Sequence, residues 1–366
     1  MATTFMLDEI FVLEDIDLEN MKHTQTNLKN KPQATGLSLP DDFKLRAADW
    51  ADLEPVAQLI LDECTAAGDP SIAVSAEVLG EEWKTPGFNL ETDAWVVTTG
   101  EGRVVGYEEF FNRYAHASMR GDGYVHPDYL GLGIGTTLLR ALEERARDEM
   151  ELAEPEHRVF IRNGLSINDT AAREMHESEG YQPIRFFWRM EIELEKAPPT
   201  PAWPDGIQLR PFDHQAHDYL LYRAHSEAFR DHWGHTPSPY EDWQHRMNPE
   251  TNDTSMWYIA WEAARNGHGD QIAGYCLCKY RMDNAWVGTL GVRLPWRKRG
   301  LGLALLNHSF GEFYKRGDRV INLGVDAASQ TGATRLYKRA GMRVGAEYVT
   351  YEKELRAGVE PEAEPN

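Results

Sequence analysis

Cysteine is scarce in this chain. The 366 residues hold three, at 64, 276 and 278, too few for a disulfide framework. Cys276 and Cys278 stand two apart in a strand-like run, where side chains share a face, and read as buried lining rather than as a metal site or a nucleophile. Long apolar runs are missing as well: no stretch approaches the roughly 18 residues of a membrane span, and no secretory leader is visible. The expected location is cytoplasmic, with no membrane partner. Positive charge is in deficit, 38 Lys and Arg against 59 Asp and Glu, giving a formal net charge of −21. Nucleic acid is therefore excluded as a partner, because its phosphates would be repelled. Core material is plentiful, with 42% hydrophobic residues and 11 Trp, and the length fits two domains of ordinary size.

Against that acidic background the consecutive Arg297, Lys298 and Arg299 are a local exception, which a bound anion would explain. The stretch from Thr289 to Tyr314 runs from a strand-like segment through this basic loop, with Gly300 and Gly302, into an apolar-periodic helix. Glycines let backbone approach a ligand closely, and the first turn of a helix offers free N–H groups and a favourable dipole to negative charge. The spacing is neither a P-loop nor a dinucleotide fingerprint. As R-x-x-G-x-G after a strand ending Gly291-Val292, it resembles the acyl-CoA signature of the GNAT superfamily of N-acetyltransferases.

The chain repeats itself. Val292 precedes Gly300 by eight residues, as Val125 precedes Gly133; Ser329 precedes Tyr337 by eight and Gly341 by twelve, as Asn168 precedes His176 and Gly180. Agreement at separated landmarks predicts an internal duplication. The expected fold is α/β, two tandem units of mixed sheet (α+β) and helices. Expected boundaries are an acidic and polar extension over 1–40, a first unit over 41–195, a Pro-rich linker over 196–205, a second unit over 206–356 and an acidic tail over 357–366. The tandem layout resembles the mycothiol synthase branch of the GNAT superfamily.

The resemblance implies acyl transfer, with acetyl-CoA as co-substrate, no metal, and a primary amine of a small molecule or peptide as acceptor, attacking directly in a ternary complex. It implies that Leu290, Gly291 and Val292 meet the pantetheine arm and polarise the thioester by a backbone N–H. Arg297, Lys298, Arg299, Gly300, Leu301, Gly302 and Leu303 would hold the pyrophosphate, and Ser329 joins this cofactor set. Tyr337 takes the place of the general acid that protonates the departing thiolate. The matching loop of the first unit has Leu130 in place of Arg297 and no cation, so its site reads as degenerate. The base is less determined: Trp286 stands where the mycothiol synthase branch carries a carboxylate, which leaves Asp283 and the run holding Glu227, His232 and His235 as candidates. The rival reading is a non-catalytic acyl-CoA-binding or partner-docking protein. The expected state is a monomer or homodimer.

Overall fold

The computed structural model describes residues 39–230, 239–248, 252–263, 270–329 and 332–360. In the first half, β1 (Lys44–Ala47) is followed by a 3-10 turn over Trp50–Asp52, in which Asp49 and Asp52 form a reciprocal capping box. Helix α1 (Leu53–Ala66) buries Val56, Leu59, Ile60 and Cys64, the side that apolar spacing predicts. Then come α2 (Ala76–Glu82), the single turn α3 (Leu90–Asp93), β2 (Ala94–Thr98), β3 (Val104–Tyr114) and β4 (Ser118–Val125). Helix α4 (Ile134–Met150), β5 (Val159–Ser166), α5 (Thr170–Ser178) and β6 (Gln182–Glu193) close the half.

The second half restates this order with β7 (Ile207–Arg210), α6 (His214–Phe229), α7 (Tyr240–Arg246), β8 (Trp257–Glu262), β9 (Gln271–Arg281) and β10 (Asn284–Val292). Helix α8 (Leu301–Arg316), β11 (Val320–Asp326), α9 (Ala333–Arg339) and β12 (Arg343–Arg356) follow. Between the halves Trp203 packs against the α8 cluster, its ring 5.8 Å from that of His308.

All the strands form one sheet, in the order β1-β2-β3-β4-β5-β12-β6-β11-β10-β9-β8-β7. The middle of that order was not foreseen from the repeat. Strand β12, at the end of the chain, pairs antiparallel with β5, and β6 pairs antiparallel with β11, so each half gives its last strand to the other. Charge placement commits the exchange: Arg158 binds Glu352 at 2.5 Å and Glu354 at 2.6 Å, Arg162 binds Glu352 at 2.9 Å, Lys353 binds Glu143 at 2.5 Å, and Arg185 binds Asp326 at 2.6 Å.

Helices cover both faces. Adjacent residues of β12 show the division, since Tyr348 joins the α1 cluster and Val349 the α4 cluster, as strand alternation requires. At the centre, buried Arg189 of β6 reaches Asp69 at 2.6 Å, Glu191 at 2.6 Å and Asn322 Oδ1 at 2.7 Å, while the Tyr348 hydroxyl donates to Asp69. One network thus ties the loop after α1 to β6, β11 and β12. No helix among the described residues is long and apolar enough to cross a membrane.

Candidate acyl-transfer site

Strand β10 begins parallel to β11, pairing Ala285 with Ile321 and Trp286 with Asn322, and then separates from it. At the separation Gly288 is an extra residue, a bulge between Val287 and Thr289 on the β9 side. Bulges bend a strand and re-aim its groups, which is why they recur beside reactive sites. A cleft opens there, walled by β10 from Val287 to Leu290, by Leu323 and Gly324 of β11, by Phe229 at the end of α6, and by Tyr337. The bulge is a site feature that the sequence does not announce, because a strand glycine such as Gly288 has many uses, whereas Phe229 belongs to the run from Glu227 to His235 expected on the acceptor side.

Tyr337 lies on α9 and is 5% exposed. Its hydroxyl has no hydrogen bond among the described residues, and burial pushes its pKa up, with the nearby Cys276 adding to the rise. A phenol so placed keeps its proton near neutral pH. Gly302 sets its position, since a Cβ there would lie 3.0 Å from Leu336, the neighbour of Tyr337. Gly302 therefore lets α9 close on α8.

In the basic loop Lys298 and Gly300 both adopt left-handed backbone, φ 62° and 87°, and Gly300 faces open space. The result is a concave run of N–H groups at the start of α8, which fits a pyrophosphate. The three cations are not equivalent. Lys298 is exposed, with no polar partner among the described residues, and Arg299 makes only long contacts to Glu262 and the Asp205 carbonyl, 3.4 to 3.5 Å. Arg297 is turned inward: Nε donates to the Val292 carbonyl and Nη2 to that of Ala228, both at 3.0 Å. Of the other residues assigned to the cofactor, Leu290, Gly291 and Val292 form the end of β10, and Leu301 and Leu303 lie in the first turn of α8. Ser329 sits half-buried in the turn after β11, its N–H donating to the Asp326 carbonyl.

Two of the base candidates, Glu227 and Asp283, lie among the described residues. Glu227 is held by Arg293, Nη2 at 2.6 Å and Nε at 2.9 Å, so it is a partner in an ion pair and not a free carboxylate. Asp283 is exposed at the tip of the β9–β10 hairpin, in left-handed backbone at φ 63°. Four residues of strand separate it from Val287, roughly 13 Å, which takes it away from the cleft. His232 and His235 lie outside the described residues. Trp286 is 2% exposed and packs into the α1 cluster of the first half. Cys276 and Cys278 are buried with their sulfurs 3.8 Å apart, and burial raises the Cys278 thiol pKa, as suits lining.

The first half keeps the loop, but its strands part later. Gly131 and Gly133, at φ 78° and 79°, repeat the backbone of Lys298 and Gly300, but β4 stays paired to β5 through Gly121↔Asn163. Gly121 is the register counterpart of Gly288, so the pairing runs two residues further than in the second half before β4 separates. His176, in the place of Tyr337, is fully buried; its Nδ1–H donates to the Ala172 carbonyl and its ring packs on Tyr181. Burial lowers its pKa to about 4, against roughly 6.5 unfolded. The unfolded chain therefore binds the extra proton first, and this contribution is intact above pH ~6.5 and lost as pH falls toward about 4. The loss amounts to roughly 3 kcal/mol. In denaturant titrations across that range His176→Phe should flatten the fall by about this amount; an unchanged slope would remove the assignment.

Two family models match the chain: "Acetyltransferase (GNAT) family" over residues 219–342 and "Acetyltransferase (GNAT) domain" over 91–183. Among solved structures, a GCN5-related N-acetyltransferase from Sphaerobacter thermophilus superposes with TM-score 0.73 at 39% identity, covering 88% of this chain and 99% of that one. The chain belongs to the GCN5-related N-acetyltransferase (GNAT) family. It is accordingly an acyl-CoA-dependent N-acyltransferase built as a GNAT tandem. A tandem GNAT protein from the clavulanic acid biosynthesis pathway shares the fold at TM-score 0.63 and 17% identity, over 86% of this chain and 99% of its own. The GNAT chain is also similar to mycothiol acetyltransferases. That of Geodermatophilus obscurus is 26% identical over 67% of this chain and 77% of the relative; that of Salinispora arenicola is 26% identical over 86% and 98%.

Proposed function

We propose that the second half, residues 206–356, moves an acetyl group from acetyl-CoA to the primary amine of a small molecule, with the first half, 41–195, as its structural companion. The observation that carries this is the cleft at the bulge of β10, with a protonated, unpartnered Tyr337 in its wall. The resemblance to mycothiol acetyltransferases supports a small-molecule acceptor over a peptide. In this reading a backbone N–H near Leu290 polarises the thioester carbonyl, the amine attacks directly, and Tyr337 gives its proton to the leaving thiolate. The N–H groups at the start of α8 and the Lys298 ammonium hold the pyrophosphate. The attacking amine gives up its proton on the acceptor side, where His232 and His235 follow Phe229 in the chain.

The test is to incubate the full chain with acetyl-CoA and a panel of amino sugars, amino acids, polyamines and peptides, following free thiol. Amine-dependent thiol release, greatest with a small amine, is expected. Release that no amine accelerates would overturn the reading.

A further inference from the structure

We infer that Arg297 is a positioning residue: it holds the end of α6, and with it Phe229, against the mouth of β10, so that the cofactor loop sets the acceptor-side wall of the cleft. The inference rests on the proposed acyl transfer but changes what the first cation of the loop is for. The final carbonyls of a helix have no intrahelical partner, and cations are favoured at that end of its dipole. Helix α6 ends at Phe229, and Arg297 Nη2 donates to the carbonyl of Ala228, the preceding residue. The Arg297 Nε donates to Val292, the last residue of β10, so one rigid guanidinium spans the two elements. A second arginine acts in parallel, since Arg293 binds Glu227 and donates from Nη1 to the Ile272 carbonyl at 2.9 Å. Phe229, 4% exposed, thus directly follows two residues tied down by arginines, and it faces the cleft. With Arg297 occupied in this way, the charge offered to a phosphate comes chiefly from Lys298, the loosely held Arg299 and the N–H groups.

Arg297→Lys keeps the charge and removes the fork, which separates the two roles. In the full-length chain, acetyl-CoA affinity by calorimetry should stay within about threefold of wild type, since the Arg297 fork is spent on the Val292 and Ala228 carbonyls and not on a phosphate. Hydrogen exchange over residues 226–230 should accelerate by about tenfold or more, as the last turn of α6 loses its tie. The KM for whichever amine the panel identifies should rise by roughly tenfold. Lys298→Ala is the converse, weakening acetyl-CoA by about tenfold with exchange at 226–230 unchanged. An Arg297→Lys chain that binds acetyl-CoA more than tenfold weaker, with unaltered exchange, would make Arg297 a phosphate ligand and overturn the inference. The exchange measurement needs no acceptor, so absence of any reactive amine would count against the proposed function alone.

Discussion

Tyr337→Phe should lower kcat by roughly 10²- to 10⁴-fold, the usual worth of a positioned acid, and leave acetyl-CoA affinity unchanged. The ring already fills its place among the α8 and α9 side chains, and Phe preserves that contact. What is removed is one hydroxyl, which has no hydrogen bond among the described residues and whose loss orphans no buried partner. The loss should therefore appear in kcat and not in binding. The pH profile gives a second signature: solvent protonates a thiolate more readily as pH falls, so the deficit of the variant relative to wild type should narrow toward acid, while both rates fall as the amine is protonated. A folded Tyr337→Phe chain with near-normal turnover would end the assignment. A chain that fails to fold would show that the hydroxyl matters to the core.

The second large effect is on stability. Arg189→Leu should destabilise the folded chain by about 3 to 5 kcal/mol, because it strands the buried Asp69 carboxylate rather than removing a pair cleanly. Asp69 relies on this guanidinium for its only cationic partner among the described residues, Asn322 accepts from it, and Glu191 shares it with Arg343, which binds the other Glu191 oxygen at 2.5 Å. Asp69 would retain only the Tyr348 hydroxyl and its local Ser71 contact. Chemical denaturation should show the loss, and adding Asp69→Asn should recover part of it by discharging one stranded group. A double variant no better than Arg189→Leu alone would indicate that packing, not charge, is at stake.

The separate elements were legible in the sequence because local patterns encode them. The apolar side of α1, the glycine-led starts of α4 and α8, and the matching landmarks before His176 and Tyr337 all survive in the structure. Strand exchange was not legible. A repeat tells which segments are alike, but β6 and β12 are alike, and nothing in their periodicity says which half each one joins. What distinguishes them is long-range, such as the pairing of Arg158, Arg162 and Lys353 with acids about 190 residues away, or more, and of Arg185 with Asp326. The site was half legible for a similar reason. Glycines and cations announce a loop, but the inward turn of Arg297 depends on a carbonyl 69 residues earlier, and the cleft depends on a bulge that spacing does not mark.

Because the last strands cross over, the chain has the connectivity of a strand-swapped dimer whose two copies have been joined end to end. Severing it between Lys196 and Asp205 would leave two fragments that each still hold the other's closing strand, so they should copurify without a covalent bond. Either fragment made alone would present β5 or β11 as a bare edge with the wrong partner tethered to it. Divergence of the halves is thereby constrained: the first could lose the cations of its own loop, yet it could not be discarded, because β6 is the strand beside the β11 residues that wall the second half's cleft.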